Sequence, residues 1–193
     1  MSIYRAIPRA TFEAGKELRR NPGRRLPSVI PYLVDNLWEY ARPDGQPSRR
    51  HAVYASPTPQ LALQNAAAGA LRQDDYLACR LTFHYQPAMI QLSTSDARHH
   101  PDVRQLQHLV NSRLREWAAG GLGDKLALAP LFMPGVTRGE LAAAMAAEPA
   151  LAKVVEEAAA AVTLWSPAPG AVSPDGELFF EIADDNFYVL HPV

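Results

Sequence analysis

The chain has 193 residues, of which 48% are hydrophobic and 20% are charged, a composition typical of a folded globular protein. No apolar run approaches the roughly 18 residues of a membrane span, and residues 1–12 lack the apolar core of a signal peptide. We therefore expect no membrane association and a cytoplasmic location. The single cysteine, Cys79, excludes an internal disulfide framework.

Charge is distributed unevenly along the chain, although the net charge is only −1. Residues 1–60 carry ten Lys and Arg against five Asp and Glu, whereas residues 101–193 carry six against twelve. The near-neutral total argues against a general nucleic-acid binder. The basic segment predicts either a site for an anion or a contact with the acidic segment, and the sequence leaves both open.

The first half of the chain predicts alternating strands and helices. In chain order these are a strand over residues 2–7, helical turns over 12–20, a helix from Pro31 that ends before Pro43, and a strand over 50–56. Thr58 followed by Pro59 is typical of a helix start, and we expect that helix to run to about Leu71.

The second half predicts strands around a helical segment. Its elements are a strand over residues 76–85, a short strand over 89–92, a helix over 101–117, and strands over 177–182 and 187–191. Between them, residues 141–162 contain 11 Ala in 22 positions, and Pro149 should divide this stretch into two helices.

These elements predict a single α+β domain over residues 1–193, with a mixed or split β-sheet and flanking helices. The Ala-rich segment over residues 137–163 is expected to be a helical part of that domain. Because terminal strands need partner strands to be stable, we expect both chain ends to lie in the same sheet system.

The common strong motifs of enzymes are absent from the sequence. It has no phosphate-binding Gly-rich loop, no dinucleotide fingerprint of glycines and no paired-His metalloprotease motif. No set of metal ligands can be assembled from the sequence, and we predict no metal site.

Arg5 lies in an otherwise apolar first strand. A cation in such a strand needs an anionic partner, because a buried unpaired charge is costly. The partner is either a ligand or one of two glutamates, Glu177 and Glu181, and the sequence does not decide between them. Strand alternation puts both glutamates on one face of a late strand, where a simple solvent-facing pair is the alternative to a functional role.

A basic segment, Arg49-Arg50-His51, begins the predicted strand that ends at Ser56 before the capped helix. Strand ends and helix N-termini favour anions such as phosphate. An ordinary strand, turn and helix explain the same pattern equally well. A separate alternative is that Arg49 or Arg50 protects the edge of the sheet.

Three segments together resemble the ADP-ribosyltransferase fold. They are Tyr4-Arg5, the stretch 53–58 (Val-Tyr-Ala-Ser-Pro-Thr) with Leu61-Ala62-Leu63 after it, and the closing stretch 186–192. The second segment is similar to the tyrosine strand and following helix of poly(ADP-ribose)-polymerase-like enzymes. The likeness is closer to RES-domain toxins, which degrade NAD.

This resemblance implies that NAD is the substrate. Arg5 would bind a phosphate or ribose, Tyr54 would stack on the nicotinamide, and Ser56 would line the pocket. Glu181 would stabilise the positive charge that develops on the ribose as nicotinamide leaves. The segment Arg49-Arg50-His51 would attract the pyrophosphate.

The function implied is that of an NAD-using ADP-ribosyltransferase or NAD glycohydrolase, as in a bacterial toxin or effector. Such a protein acts in the cytoplasm or reaches a target cell without a classical signal peptide, and its partners are an acceptor protein or a neutralising protein. The alternative is a non-enzymatic α+β binding module for a protein partner. Gln64 and Phe187, which stand where the two related groups usually have Glu, favour that alternative.

Overall fold

The computed structural model describes residues 2–21, 23, 25–27, 29–66, 72–117, 122–165 and 174–193. The chain divides into two units. The sheet unit comprises Met1–Arg24, Gly45–Ala97 and Ala168–Val193, and the helical unit comprises Arg25–Asp44 and Arg98–Pro167. The expectation of a single domain over residues 1–193 stays a prediction.

Strands and helices are largely segregated into the two units, as is typical of the α+β class. In the described part of the chain, the strands are β1 (Tyr4–Pro8), β2 (Val53–Ala55), β3 (Tyr76–Phe83), β4 (Met89–Gln91), β5 (Leu178–Phe180) and β6 (Tyr188–Pro192). The α-helices there are α1 (Tyr32–Tyr40), α2 (Pro59–Ala66), α3 (Pro101–Trp117), α4 (Leu122–Phe132), α5 (Arg138–Ala147) and α6 (Pro149–Ala160). Short 3-10 helices lie at Arg9–Thr11, Gln73–Asp75 and Ala97–His99.

The strands form two antiparallel sheets in the sheet unit. The first sheet has the order β1-β3-β6, and the second has the order β2-β5-β4. Both terminal strands therefore flank the same central strand, as the sequence predicts. The α+β class with a split sheet is confirmed, and an ADP-ribosyltransferase-like fold stays a prediction.

The core of the sheet unit contains apolar residues of both sheets. Phe180 of β5 contacts Phe83 of β3 and Tyr188 of β6 edge-on, with ring centroids 4.9 Å and 6.0 Å apart. Cys79 is fully buried in the same cluster, and burial raises the pKa of its thiol. Each large side chain buried in this way contributes roughly 1.5–3 kcal/mol to stability.

Capping residues fix the helix boundaries that the sequence predicts. The Thr58 hydroxyl accepts from the Leu61 backbone N–H (3.2 Å) at the start of α2. Pro149 lies at the first turn of α6, directly after α5 ends, where its missing N–H is tolerated. The division of the Ala-rich segment into two helices is therefore confirmed, whereas the expected helix end at Leu71 lies outside the described residues.

The helical unit is organised around the buried carboxylate of Asp102 in the first turn of α3. It accepts hydrogen bonds from Trp38 Nε1 (2.9 Å), from the Leu164 backbone N–H (3.0 Å), and from both the backbone and the hydroxyl of Thr163. These bonds tie α1 and the segment after α6 to α3. They satisfy the hydrogen-bonding capacity of a carboxylate that has no access to water.

Two sequence predictions of local structure are wrong. Residues 12–20 are irregular, with a single turn at residues 14–15 where Gly15 has a φ of +73°, a value outside the right-handed helical region. Leu18 makes an isolated β-bridge with Tyr188 instead. The strand expected over 50–56 begins only at Val53, because residues 49–51 form a turn.

No helix in the described parts of the chain is both long enough and apolar enough to span a bilayer.

Candidate functional site

The two sheets are joined where β1 meets the end of β2. Tyr4 N–H donates to the Ser56 carbonyl (2.8 Å), and Ser56 N–H donates to the Tyr4 carbonyl (2.7 Å). This isolated bridge brings the strand that carries Arg5 beside the end of the strand that carries Tyr54. Two of the segments that suggested the resemblance are therefore neighbours in the sheet unit.

Arg5 is half-buried and makes one described hydrogen bond, from Nη1 to the Tyr188 hydroxyl (3.2 Å). Within the described parts of the chain it forms no ion pair with a carboxylate, so the alternative of pairing with Glu177 or Glu181 is wrong. Burial raises the pKa of the Tyr188 phenol, and the charge and hydrogen bond of Arg5 oppose that rise. Among the described residues, the hydrogen-bond partner of Arg5 is therefore a neutral group.

The glutamates beside β5 are partly buried and bond to the protein backbone. Glu181 Oε2 accepts from the Ser48 backbone N–H (2.8 Å), and Glu177 Oε2 accepts from the Ala97 backbone N–H (2.9 Å). The Glu177 side chain is only 14% exposed. Both side chains are therefore held by backbone N–H groups and are not a pair that faces only solvent, which was the alternative.

Arg49 is enclosed by groups of the sheet unit. Its guanidinium carbon lies 4.9 Å from the Tyr54 ring centroid and 5.0 Å from that of Phe179. Its Nη1 lies 3.9 Å from Glu177 Oε2, and the Tyr54 hydroxyl donates to the Arg49 carbonyl. Stacking on two rings beside a carboxylate is an arrangement that favours the planar guanidinium over an ammonium group.

The basic segment Arg49-Arg50-His51 is therefore a turn and not part of a strand. Arg49 and Arg50 are 7% and 3% exposed, so the alternative in which they protect a sheet edge is also wrong. A turn forms here because the Ser48 side chain accepts from the Arg50 N–H, while Glu181 accepts from the Ser48 N–H. His51 is half-buried beside them.

Strand register separates the predicted site residues into two groups. Tyr54 is paired with Phe179, and residues directly opposite each other project from the same face of a sheet. Glu181 lies two residues from Phe179, so it shares that face with Tyr54 and Arg49. Phe180 projects from the other face toward Tyr188, the residue that Arg5 contacts.

Ser56 is 3% exposed and has a partner that sequence analysis missed. Asn65 of α2 donates from Nδ2 to the Ser56 hydroxyl oxygen (3.3 Å) and to the Ser95 carbonyl (3.1 Å). A signal was present, because Asn65 lies three residues after the buried Ala62 and so shares its helix face. A polar residue on an apolar helix face indicates a specific hydrogen-bond partner.

No group of three or more His, Cys, Asp or Glu that could hold a metal ion occurs within the described ranges. Comparison of the chain with protein-family models, with curated proteins and with solved structures found no match.

Proposed function

We propose that this protein binds NAD and cleaves its nicotinamide–ribose bond, as an NAD glycohydrolase or as an ADP-ribosyltransferase. One observation carries the proposal. Arg5, in the strand beside Ser56, has a phenol and not a carboxylate as its described partner. A half-buried cation held by a neutral group is stabilised by an anionic ligand, and the phosphates of a dinucleotide supply that charge.

Glu181 is the carboxylate assigned to the chemical step. Because it lies on the other sheet face from the Arg5 contact, a bound dinucleotide has to extend past the Tyr4–Ser56 bridge to meet both. The Oε2 of Glu181 accepts from the Ser48 N–H, and its Oε1 makes no hydrogen bond to any described residue. In the step, the C1′–N bond breaks and nicotinamide leaves with the electron pair. Water or an acceptor nucleophile then forms the new bond to C1′ and loses a proton, while a nearby carboxylate stabilises the cationic ribose.

The resemblance to ADP-ribosyltransferases is the reason for including four further residues in the proposal: Tyr54, Arg49, Arg50 and His51. The contacts of Tyr54 and Arg49 give these two a second role, because they hold the turn that presents the Ser48 N–H to Glu181. The position of Glu181 therefore depends on the Arg49 cluster, which comprises Ser48, Arg49, Tyr54, Glu177, Phe179 and Glu181.

Nicotinamide release from NAD tests the proposal with a matched pair of variants. Glu181→Gln keeps an acceptor for the Ser48 N–H but removes the charge, and we expect kcat to fall by about 10²–10³-fold, as when other electrostatic stabilisers are removed. Asp185→Asn removes a charge from the exposed turn before β6 and should leave kcat unchanged. Equal kcat values in the two variants would remove Glu181 from the reaction, and folded wild-type protein that releases no nicotinamide would refute cleavage.

The second candidate is a non-enzymatic binding module for a protein partner. Large apolar side chains of the helical unit favour it, since Val29, Leu126 and Met133 are 61%, 63% and 54% exposed. Exposed apolar side chains are typical of surfaces that bind other proteins when they form a patch. This candidate predicts that wild-type protein neither binds nor cleaves NAD.

A further inference from the structure

The hydrogen bonds around Ser56 determine what its hydroxyl can do. Both backbone groups of Ser56 are used by Tyr4, and its side-chain oxygen accepts from Asn65 Nδ2. No other hydrogen bond to the Ser56 hydroxyl occurs in the part of the chain that the structure describes. The hydroxyl therefore uses a lone pair toward Asn65 and keeps its proton for another acceptor.

The Ser95 carbonyl fixes the orientation of the Asn65 amide. A carbonyl oxygen can only accept, so the group of Asn65 that faces it at 3.1 Å must be the NH₂ group and not the amide oxygen. The same NH₂ group then donates its second proton to Ser56. One backbone carbonyl therefore sets the direction of two successive hydrogen bonds.

We propose that Asn65 is a positioning residue, which keeps the Ser56 hydroxyl as a hydrogen-bond donor to an acceptor oxygen of the bound dinucleotide. This inference rests on the proposed function, and it adds a residue on α2 that acts through Ser56 without touching the ligand. If the role of Asn65 were structural only, Asn65 would hold α2 against the segment that contains Ser95. The effect of substituting Asn65 would then not depend on whether the Ser56 hydroxyl is present.

The test is a double-mutant cycle on nicotinamide release, with KM and kcat measured separately. Asn65→Asp replaces the donor by an acceptor, so that the Ser56 hydroxyl donates to the introduced carboxylate instead of to the ligand. We expect Asn65→Asp and Ser56→Ala each to raise KM for NAD by about fivefold, the worth of one hydrogen bond, with little change in kcat. The double variant should have a KM no higher than either single variant, because the two changes remove the same bond.

Two further variants make the outcome decisive. Gln60→Glu adds the same charge at an exposed position near the start of α2 and should leave KM unchanged. Asn65→Ala removes both bonds without adding a charge. It should raise KM by about twofold in the wild-type background and not at all in the Ser56→Ala background, again because sites that act through one bond are not additive.

Multiplicative effects of the changes at residues 65 and 56 on KM would show that Asn65 acts independently of Ser56, and would overturn the inference. An unchanged KM in folded Asn65→Asp and Asn65→Ala would also overturn the inference. In both cases the proposed function would still stand, provided that wild type cleaves NAD. Failure of folded wild-type protein to release nicotinamide would overturn both proposals together.

Discussion

Two arginines of the sheet unit show how partners decide what a side chain can do. Arg49 is enclosed by the rings of Tyr54 and Phe179 and lies near Glu177, so its charge is balanced within the protein. Arg5 is held by the neutral Tyr188 hydroxyl and is the better candidate for an anionic ligand. The sequence could not separate them, because Glu177 and Tyr188 are far from both arginines along the chain.

Tyr188 gives a prediction about pH. Burial raises the pKa of its phenol in the folded state above the ordinary value of 10.0. The protonated phenol therefore contributes fully to the stability of the fold below about pH 10, which is its pKa in the unfolded chain. This contribution is lost as the pH rises through the higher pKa of the folded state.

The comparison is between wild type and Tyr188→Phe in urea unfolding at pH 8 and at pH 10.5. At pH 8 we expect the variant to be less stable by about 1 kcal/mol, since it lacks the hydrogen bond from Arg5. At pH 10.5 the difference should shrink, because ionisation of the unfolded phenol costs stability only in wild type. A difference that grows with pH would contradict the burial effect.

Elements were predicted best where local signals agree with one another. The Thr58 cap, the division at Pro149 and the helix from Pro101 to Trp117 all follow from neighbouring residues, and the structure has them at those positions. The turn at residues 49–51 was missed because its cause lies elsewhere in the chain. Glu181 bonds to Ser48 and Glu177 lies near Arg49, and long-range contacts of this kind override local strand propensity.

Asp102 gives a prediction for the helical unit. The N–H groups of Trp38, Thr163 and Leu164 that bond to its carboxylate can only donate, so Asp102→Asn loses the charge they bond to and its NH₂ finds an acceptor only if the Thr163 hydroxyl reverses its hydrogen bond. We expect a loss of about 2–4 kcal/mol in the free energy of unfolding, typical of an unsatisfied buried polar group in a broken network. Urea unfolding followed by tryptophan fluorescence measures it.

The control for this prediction is Asp184→Asn. Asp184 is largely exposed and pairs with Arg20 at the surface, and such a pair contributes about 0–1 kcal/mol. Similar losses of stability in the two variants would show that Asp102 does not organise the helical unit.

At the scale of the whole molecule, the charge asymmetry of the sequence disappears inside the sheet unit. That unit contains ten Lys and Arg and ten Asp and Glu, because it combines the basic first residues with the acidic last ones. Arg20 pairs with Asp184, and Arg49 lies near Glu177. Contact between the basic and acidic segments, one of the two alternatives for the asymmetry, is therefore present at these two pairs, and Arg5 is the residue for which we propose the other alternative, a site for an anion.

The proposed NAD site depends on Arg5, and calorimetric titration with NAD tests this most directly. Arg5→Gln is compared with Arg80→Gln, which changes an exposed arginine on the neighbouring strand β3. We predict that wild type and Arg80→Gln bind NAD with similar affinity and that Arg5→Gln binds about 10–100-fold more weakly, as expected for loss of a charge-assisted hydrogen bond. Equal affinity of the two folded variants for NAD would contradict the account.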